Sequence, residues 1–406
     1  MRARPRGACD RPRVRRSYQP FFAVVVAVLA LLFFWSRRST SPAPEATSET
    51  GRPAHPRVRD AGAREDDDDD DEDDLDRARD EAHAEPHLVR GQRSMMSTIY
   101  QMTIVSDDEP GAHAAMEAAF DEIDRLENVL SEWREGTEIS QINAAAGHEA
   151  VHVSEDTETI VRAGLEVSRW SDGAFDLSWA ALRGMYLFQP GQERVPSDEE
   201  IAARLPLVNF RDIELDETAH TVRLAREGMA IGTGGIAKGY ALDRARDLLL
   251  ARGFTQFMIF GGGQVTVHGL RGDRPWRVGI QHPRREDYIG FFETDGGSIA
   301  TSGDYEHYFI DDEGRRWHHI IDLETGRPAT RSMQVSIITD QGIYADAMTK
   351  PCFVWGPERC LEWLADRPGH PDAVIVDADM RVWMTPGARE RVRMHVELDE
   401  TGHLPH

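Results

Sequence analysis

The chain has 406 residues, a formal net charge of −24, 40% hydrophobic and 29% charged residues, and only three cysteines. This length allows two domains or one large domain with a sizeable core. Three cysteines are too few for a disulfide-stapled scaffold, and an acidic chain lacks the positive face that a nucleic-acid backbone requires. We therefore expect a globular protein that binds no nucleic acid.

The N-terminus is basic and then apolar. Residues 21–35 are all apolar, and the uncharged stretch runs from Ser17 to Ser36, about 30 Å as a helix. Seven Arg precede it and two follow. The positive-inside rule predicts a cytoplasmic segment over residues 1–17, a single-pass anchor in the cytoplasmic (inner) membrane over residues 18–36, and an extracytoplasmic (periplasmic) body. A cleaved signal peptide is the alternative, although no clear A-x-A site follows the apolar run.

The next segment, residues 37–90, is rich in Ser, Pro, Ala and Arg and contains an acidic run from Glu65 to Asp74. Like charges and almost no apolar residues predict a disordered linker. We interpret the acidic run as a solvated spacer; calcium binding is the alternative, but nothing there fixes a ligand geometry. The folded body is predicted over residues 91–406.

Hydrophobic periodicity predicts the elements of this body. Helices are predicted through Met116–Leu130, from Ser154 to Trp170, from Gly235 to Gly253, and over Ala345–Val354. Strands are predicted at Thr98–Val105, after Gly253 to Phe260, onward to Leu270, at Trp276–Gln281, His318–Asp322 and Gln334–Thr339, and as a hairpin of Ala373–Asp377 and Met380–Thr385. Because strands are grouped with helices and do not strictly alternate with them, the pattern favours an α+β fold.

A glycine-rich turn, Gly232–Gly239, leads into a predicted helix. Free backbone N–H groups and Lys238 could bind a phosphate group. The spacing of a Walker A loop is absent. A helix cap without a ligand is an equal alternative.

Three further groups of residues offer polar chemistry. Thr301–Tyr305 is a run of small and polar side chains, and His318 and His319 are expected on opposite faces of a strand. Either imidazole has a pKa suited to a general base, with a surface or core role as the alternative. Asp346 and Thr349 share a helix face, where their oxygens could hold Mg²⁺.

The two C-terminal cysteines, Cys352 and Cys360, are expected to fill the core.

Considered together, residues from about 95 to 366 resemble the ApbE family, the FAD:protein FMN transferases. The matching stretches are Met96–Thr98, Leu130–Trp133, Glu138–Asn143, Gly173–Asp176, Gly234–Asp243, Gly261–Gly263, Pro275–Ile280, Thr301–Tyr305, His319–Asp322 with Thr325–Gly326, and Ala345–Ala347. The resemblance implies an ApbE-like, T-fold-like mixed sheet-and-helix body. It also implies an enzyme that cleaves the pyrophosphate of FAD with Mg²⁺, joins FMN to a Thr or Ser hydroxyl of an extracytoplasmic acceptor flavoprotein, and releases AMP.

The resemblance also implies roles for particular residues. FAD would be contacted by Met96, Trp133, Ala174, Phe175, Asp176, Gly232, Lys238 and His319. The metal would be held by the Gly235 carbonyl, Asp346 and Thr349. His319 would act as the base on the acceptor hydroxyl.

The two largest departures from the family pattern are Gly232, which replaces the usual Asp, and Lys350, which replaces the usual Thr; Ser97 and Leu323 are milder changes. Thr349 then serves as the hydroxyl ligand, or the Lys350 ammonium partly replaces the cation, or metal binding is lost. The alternatives for the whole protein are a degenerate member that binds flavin without transfer and an FAD pyrophosphatase that yields FMN and AMP.

Overall fold

The structure is a computed structural model that describes residues 86–405. The α-helices of this range are α1 (Glu109–Leu130), α2 (Glu138–Ala144), α3 (Glu155–Trp170), α4 (Asp198–Arg204), α5 (Ala237–Ala251), α6 (Gly342–Trp355), α7 (Pro357–Ala365) and α8 (Pro386–Arg391). Short 3₁₀ helices cover Leu177–Leu182, Leu205–Leu207 and Phe210–Asp212.

The strands form one large antiparallel sheet and several small ones. They are β1 (Leu88–Met95), β2 (Thr98–Val105), β3 (Val151–His152), β4 (Ile213–Asp216), β5 (Thr221–Leu224), β6 (Phe257–Gly261), β7 (Gln264–His268), β8 (Trp276–Gln281), β9 (Tyr288–Thr294), β10 (Gly296–Gly303), β11 (Tyr308–Ile310), β12 (Arg316–His318), β13 (Ile321–Asp322), β14 (Arg327–Pro328), β15 (Ser332–Thr339), β16 (Asp372–Asp377), β17 (Val382–Met384) and β18 (Val392–Met394). The large sheet has eight strands in the order β1-β2-β6-β7-β10-β15-β16-β17. Smaller sheets have the orders β18-β9-β8, β3-β5-β4, β11-β12 and β13-β14.

The large sheet contributes side chains to two hydrophobic cores, because neighbouring residues of a strand point to opposite faces. On β16, Ala373 and Ile375 belong to the core shared with α1, α5 and α6, whereas Val374 and Val376 belong to the core shared with β8 and β9. The sheet therefore lies between a layer of helices and the small β18-β9-β8 sheet. This confirms the predicted α+β class.

The β1–β2 hairpin extends the body beyond its predicted start at residue 91. Strand β1 begins at Leu88 and pairs along its length with β2, with Val89 and Met95 buried. The predicted linker therefore ends too late, because residues from Leu88 onward are in the sheet. The rest of the linker and the predicted anchor lie outside the described residues. Within residues 86–405 no helix is long and apolar enough to cross a membrane.

The strand predicted at His318–Asp322 is wrong. Strand β12 ends at His318, and Ile321–Asp322 belongs to a separate short hairpin. Between them the N–H of His319 donates to the carbonyl of His307 over 3.1 Å. The backbone therefore bends at His319, and strand alternation does not govern the two histidines.

Helices α5 and α6 cross where glycine faces glycine. A Cβ on Gly239 would lie 2.0 Å from the carbonyl oxygen of Gly342, so only glycine permits this approach. Asp243 accepts the N–H groups of Gly342 and Ile343 over 2.8 and 2.9 Å and caps α6; burial raises the pKa of Asp243 to about 6. These contacts fix the position of α6 against α5.

A disulfide joins Cys352 of α6 to Cys360 of α7. Gly356 has a positive φ of 81° and Pro357 begins α7, so the chain turns sharply between the two cysteines. We predicted that both cysteines fill the core; both are buried, but they are also covalently joined, which the sequence did not reveal.

Candidate active site

The glycine-rich turn places Lys238 at the start of α5, one residue after Ala237. Its Nζ donates to the carbonyl of Gly234 over 3.3 Å, and its stem lies beside Gly262, between β6 and β7. The ammonium thus stands at the positive end of the α5 dipole. A helix N-terminus with a lysine beside it is an arrangement that suits a phosphate group.

Glu132 is a buried carboxylate to which the sequence analysis gave no role. Its Oε2 accepts the N–H groups of Thr233 and Gly234, while its Oε1 has no hydrogen-bond partner among the described residues. Burial raises the pKa of Glu132, and the guanidinium of Arg183, 3.9 Å away, opposes that shift. Glu132 therefore holds the glycine-rich turn against the loop that carries Trp133. The sequence could have pointed to Glu132 because it lies in Leu130–Trp133, one of the stretches that resemble the family.

The predicted contact residue Trp133 is 72% exposed. The guanidinium carbon of Arg183 lies 4.9 Å from the centre of its ring. The face of an indole ring that is open to solvent is available for stacking. Trp133 can stack on a planar ligand, as the sequence predicts.

Met96 lies in the two-residue turn between β1 and β2. Both Met96 and Ser97 have positive φ, 47° and 59°, as a type I′ hairpin turn requires. The N–H of Met96 donates to Glu127 over 2.8 Å, and Thr98 lies beside Gly262, which also touches the stem of Lys238. The structure thus brings this turn to the same edge of the sheet as Lys238.

Phe175 lies beside the turn, and Asp176 makes hydrogen bonds within the protein. A Cβ on Gly235 would lie 3.4 Å from the ring of Phe175, and Ala174 before it is half-buried. The Asp176 oxygens accept from both N–H and hydroxyl of Ser178 and from the N–H of Phe210, at 2.6 to 2.8 Å. Burial raises the pKa of Asp176. Asp176 therefore supports the loop, and its predicted contact with FAD stays a prediction.

Gly232 is likewise a structural residue. Its N–H donates to Leu177 over 2.8 Å, and its carbonyl accepts from the indole N–H of Trp179 over 3.2 Å. A Cβ there would lie 2.8 Å from Trp179 Nε1 and 2.9 Å from Glu132 Oε2. A side chain there would require Trp179 or Glu132 to move, and both backbone groups of Gly232 are used within the protein. Its predicted contact with FAD stays a prediction.

Asp346 and Lys350 form an ion pair on one face of α6, four residues apart. The Lys350 Nζ donates to the Asp346 carboxylate and, over 2.9 Å, to the Asp346 carbonyl. Burial alone would raise the pKa of the Asp346 carboxyl, but the ammonium groups of Lys350 and Lys238 hold it below its ordinary value. The carboxylate also accepts the N–H of Gly239 over 3.3 Å and a hydrogen bond from Gln264. The Asp346 carboxylate is therefore charged, and its oxygens accept hydrogen bonds from several groups of the protein.

The predicted metal ligands do not form an open oxygen site. The Thr349 hydroxyl is fully buried, donates to the Asp346 carbonyl over 2.7 Å and meets the Ser302 hydroxyl at 2.8 Å. The stem of Lys350 lies next to Gly235, whose added Cβ would meet Lys350 Cε at 3.3 Å. Within residues 86–405 no cluster of three His, Cys, Asp or Glu side chains could hold a metal. The donors present, with an ammonium already on the carboxylate, do not fit a divalent cation.

The two adjacent histidines have different surroundings. His318 is buried; its Nε2–H donates to Ala329 over 2.7 Å, its Nδ1 accepts the N–H of Ile320 at 3.3 Å, and its ring packs against Phe353. Both ring nitrogens are occupied, and burial lowers the pKa of His318. His318 is a structural residue.

His319, in contrast, is exposed to solvent, as are Glu306 and His307. It lies within electrostatic range of Lys238 and Lys350. Restricted hydration, together with the charges of Lys238 and Lys350, lowers the pKa of His319 well below its ordinary value. The rings of His307 and His319 meet edge to face at 5.2 Å. The sequence gave no signal for His307, which lies in an irregular loop.

The arrangement thus combines a neutral imidazole, two lysines, a helix N-terminus and an exposed tryptophan. Such a site can bind a phosphate-bearing ligand with a planar ring and take a proton from a nucleophile beside it.

Comparison with known proteins extends this description. The model of the ApbE family matches residues 96–375. An FAD:protein FMN transferase of Klebsiella pneumoniae is 31% identical over 300 residues, 73% of this chain and 92% of that protein. One of Treponema pallidum is 32% identical over 299 residues, 70% of this chain and 82% of its own length.

Solved structures are similar in fold. The ApbE protein of Thermotoga maritima superposes with a TM-score of 0.70 at 30% identity, over 76% of this chain and all of its own. The apo form of the flavinyl transferase ApbE of Pseudomonas stutzeri gives 0.66 at 28% identity, over 75% and 97%.

Proposed function

The chain belongs to the ApbE family, and from this premise we propose that it transfers FMN from FAD to a Thr or Ser hydroxyl of an acceptor protein and releases AMP. The observation that supports the proposal is that His319, an imidazole exposed to solvent, lies within electrostatic range of Lys238 at the start of α5.

The proposed reaction is a displacement at the FMN phosphorus. The acceptor hydroxyl oxygen forms a new ester bond to that phosphorus, the bond to the bridging pyrophosphate oxygen breaks, and AMP leaves with the electron pair. The hydroxyl proton passes to His319. A neutral imidazole is the form that can accept it.

Other residues bind and orient FAD in this proposal. Lys238 and the N-terminus of α5 attract the pyrophosphate. Trp133, open on the surface, stacks on a ring of FAD, and Phe175 with Met96 borders the ligand near the turn. No step passes through Mg²⁺, because the donors at Asp346 and Thr349 do not fit it.

The test is transfer to an acceptor of the Klebsiella pneumoniae relative, followed by in-gel flavin fluorescence. We expect a fluorescent acceptor band that survives denaturation, and none when the acceptor hydroxyl residue is replaced by Ala. A fluorescent band would exclude the degenerate binder. Free FMN with AMP and no labelled acceptor would instead establish the pyrophosphatase.

We also propose that the body lies outside the cytoplasmic membrane, anchored by residues 18–36, where it meets an extracytoplasmic acceptor flavoprotein. The Cys352–Cys360 disulfide supports this location, because disulfides persist in oxidising compartments and are rare in the cytoplasm. Alkaline phosphatase fused after His406 should be active, since it needs an oxidising compartment to fold. An inactive phosphatase, with a fluorescent protein active at the same position, would contradict the topology.

A further inference from the structure

Lysine is almost absent from this chain. Of its 47 basic residues of the Lys and Arg types, only Lys238 and Lys350 are lysine. Elsewhere the chain uses Arg for its surface and buried ion pairs, for example Arg284 with Asp304 and Arg125 with Asp156. Both lysines lie at the candidate active site. An ammonium is a compact point charge, whereas a guanidinium group is a broad planar fork. The side chains at these two positions therefore carry the cationic group that is more similar to a small metal ion.

Lys350 occupies the region where the resemblance places a divalent cation. Its Nζ contacts the carboxylate and the carbonyl of Asp346, and its stem packs against Gly235. A divalent ion at the same oxygens would have to displace this ammonium and would face Lys238 as well. Such like charges repel strongly in a partly buried site.

Two ammonium groups lie at the site. Lys350 is paired with Asp346, and Lys238 is close enough to lower the pKa of Asp346 and of Glu132 and Glu306, whose pKa values burial raises. The N-terminus of α5 adds a partial positive charge on the same side. A pyrophosphate carries negative charge that this combination can bind without a metal ion.

We propose that the ammonium of Lys350 replaces the divalent cation and binds the pyrophosphate of FAD together with Lys238, so that the protein binds and uses FAD without Mg²⁺. The proposal rests on the proposed function for its substrate. It makes Lys350 a substrate-binding residue, and it makes Asp346 the residue that positions the ammonium.

Chemical modification tests the contact directly, because the two lysines and the N-terminus are the only primary amines of the chain. The full chain in detergent micelles is acetylated with and without FAD, in EDTA, and the modified peptides are quantified by mass spectrometry. We expect FAD to protect both lysines at least about fivefold while the N-terminus is modified equally. Full modification of Lys350 in the presence of saturating FAD would overturn the proposal.

Metal dependence provides a second, independent measurement. The affinity for FAD in EDTA should agree with that in Mg²⁺ within about twofold, and electron paramagnetic resonance should detect no bound Mn²⁺ in the wild type that Asp346→Asn releases. Mn²⁺ that this substitution releases, or FAD binding that EDTA abolishes, would show that Lys350 moves aside for a metal and would overturn the proposal.

Two substitutions of Lys350 distinguish the effect of its charge from the effect of its side-chain shape. Lys350→Met keeps the length of the side chain and should weaken FAD binding by about tenfold or more, the effect of a lost charge-assisted hydrogen bond. Lys350→Thr frees the Asp346 carboxylate, so Mn²⁺ binding and a dependence of FAD affinity on Mg²⁺ should appear. Unchanged FAD affinity in a folded Lys350→Met protein would contradict the proposal.

These measurements also distinguish this inference from the proposed function. FAD binding without metal, with Lys350 protected but no covalent transfer, would uphold the inference and refute the transferase. Covalent transfer that strictly requires Mg²⁺ would uphold the transferase and refute the inference.

Discussion

At the two adjacent histidines, hydrogen bonding assigns different roles to identical side chains. His318 uses both ring nitrogens within the protein, whereas His319 is exposed to solvent. The resemblance had singled out His319, and its role as the base stays a prediction. The hydrogen bonds of Asp176 and Gly232 come from Phe210, Trp179 and other residues distant in sequence, so a motif alone could not show them.

Matched substitutions test this assignment. His319→Gln removes the base and should lower the rate of transfer about 100-fold or more with FAD binding nearly unchanged. His318→Gln keeps a side-chain N–H that can donate to the Ala329 carbonyl, so it should lower the melting temperature but leave the transfer rate within about threefold. Equal losses of rate in the two folded variants would contradict the assignment.

The lowered pKa of His319 predicts an unusual acid limb in the pH profile. A base acts only when unprotonated, and the ordinary pKa of histidine is 6.5. Because the pKa of His319 in the protein without FAD lies well below that value, kcat/KM for FAD should stay constant as the pH falls through 6.5 and decline only at lower pH. A kcat/KM that halves at about pH 6.5 or above would show an ordinary histidine.

At the scale of elements, clear alternation made β2 and β8 predictable, and both have the predicted bounds. Strand β10 was missed because its sequence is rich in Gly, Ser and Ala, which have low strand propensity. Its small side chains fit between β7 and β15 in the middle of the large sheet. The crossing of α5 and α6 at Gly239, which brings Lys238 to Asp346, is a long-range contact that no local pattern encodes.

The disulfide between α6 and α7 should stabilise the body. Closing a loop of this length restricts the unfolded chain and is worth about 2–3 kcal/mol. Cys352→Ala with Cys360→Ala should therefore lower the free energy of unfolding by about that amount, as measured in urea. In the absence of reductant, denatured wild type should show a single free thiol, that of Cys9. Three free thiols in protein from the oxidising compartment would refute the bond.

At the scale of the whole molecule, the candidate site lies entirely within the body that follows the predicted linker. Every residue of the candidate site lies between Met96 and Lys350, and the sheet begins at Leu88. The sequence predicted a spacer before the body, but β1 escaped notice because Arg90 and Arg93 interrupt its short apolar pattern. The start of the folded body is therefore shown by the pairing of β1 with β2 and not by the sequence pattern.

Deletions on either side of that boundary should behave differently. Removing residues 39–85 should leave the transfer rate and melting temperature of the body unchanged, because the linker has no apolar surface to dock. Extending the deletion to residue 95 removes β1 with Val89 and Met95 from the core and should unfold the protein or lower its melting temperature sharply. Loss of transfer in the shorter deletion would show that the linker takes part in catalysis.

The most direct test of the central claim is the stoichiometry of AMP release and covalent flavin on the acceptor, measured in one reaction by chromatography and intact mass spectrometry. If the protein is a flavinyl transferase, one AMP should appear for each FMN attached to the acceptor hydroxyl, with no free FMN, and both products should disappear together in His319→Gln. AMP accompanied by an equal amount of free FMN, with the acceptor unmodified, would contradict the account.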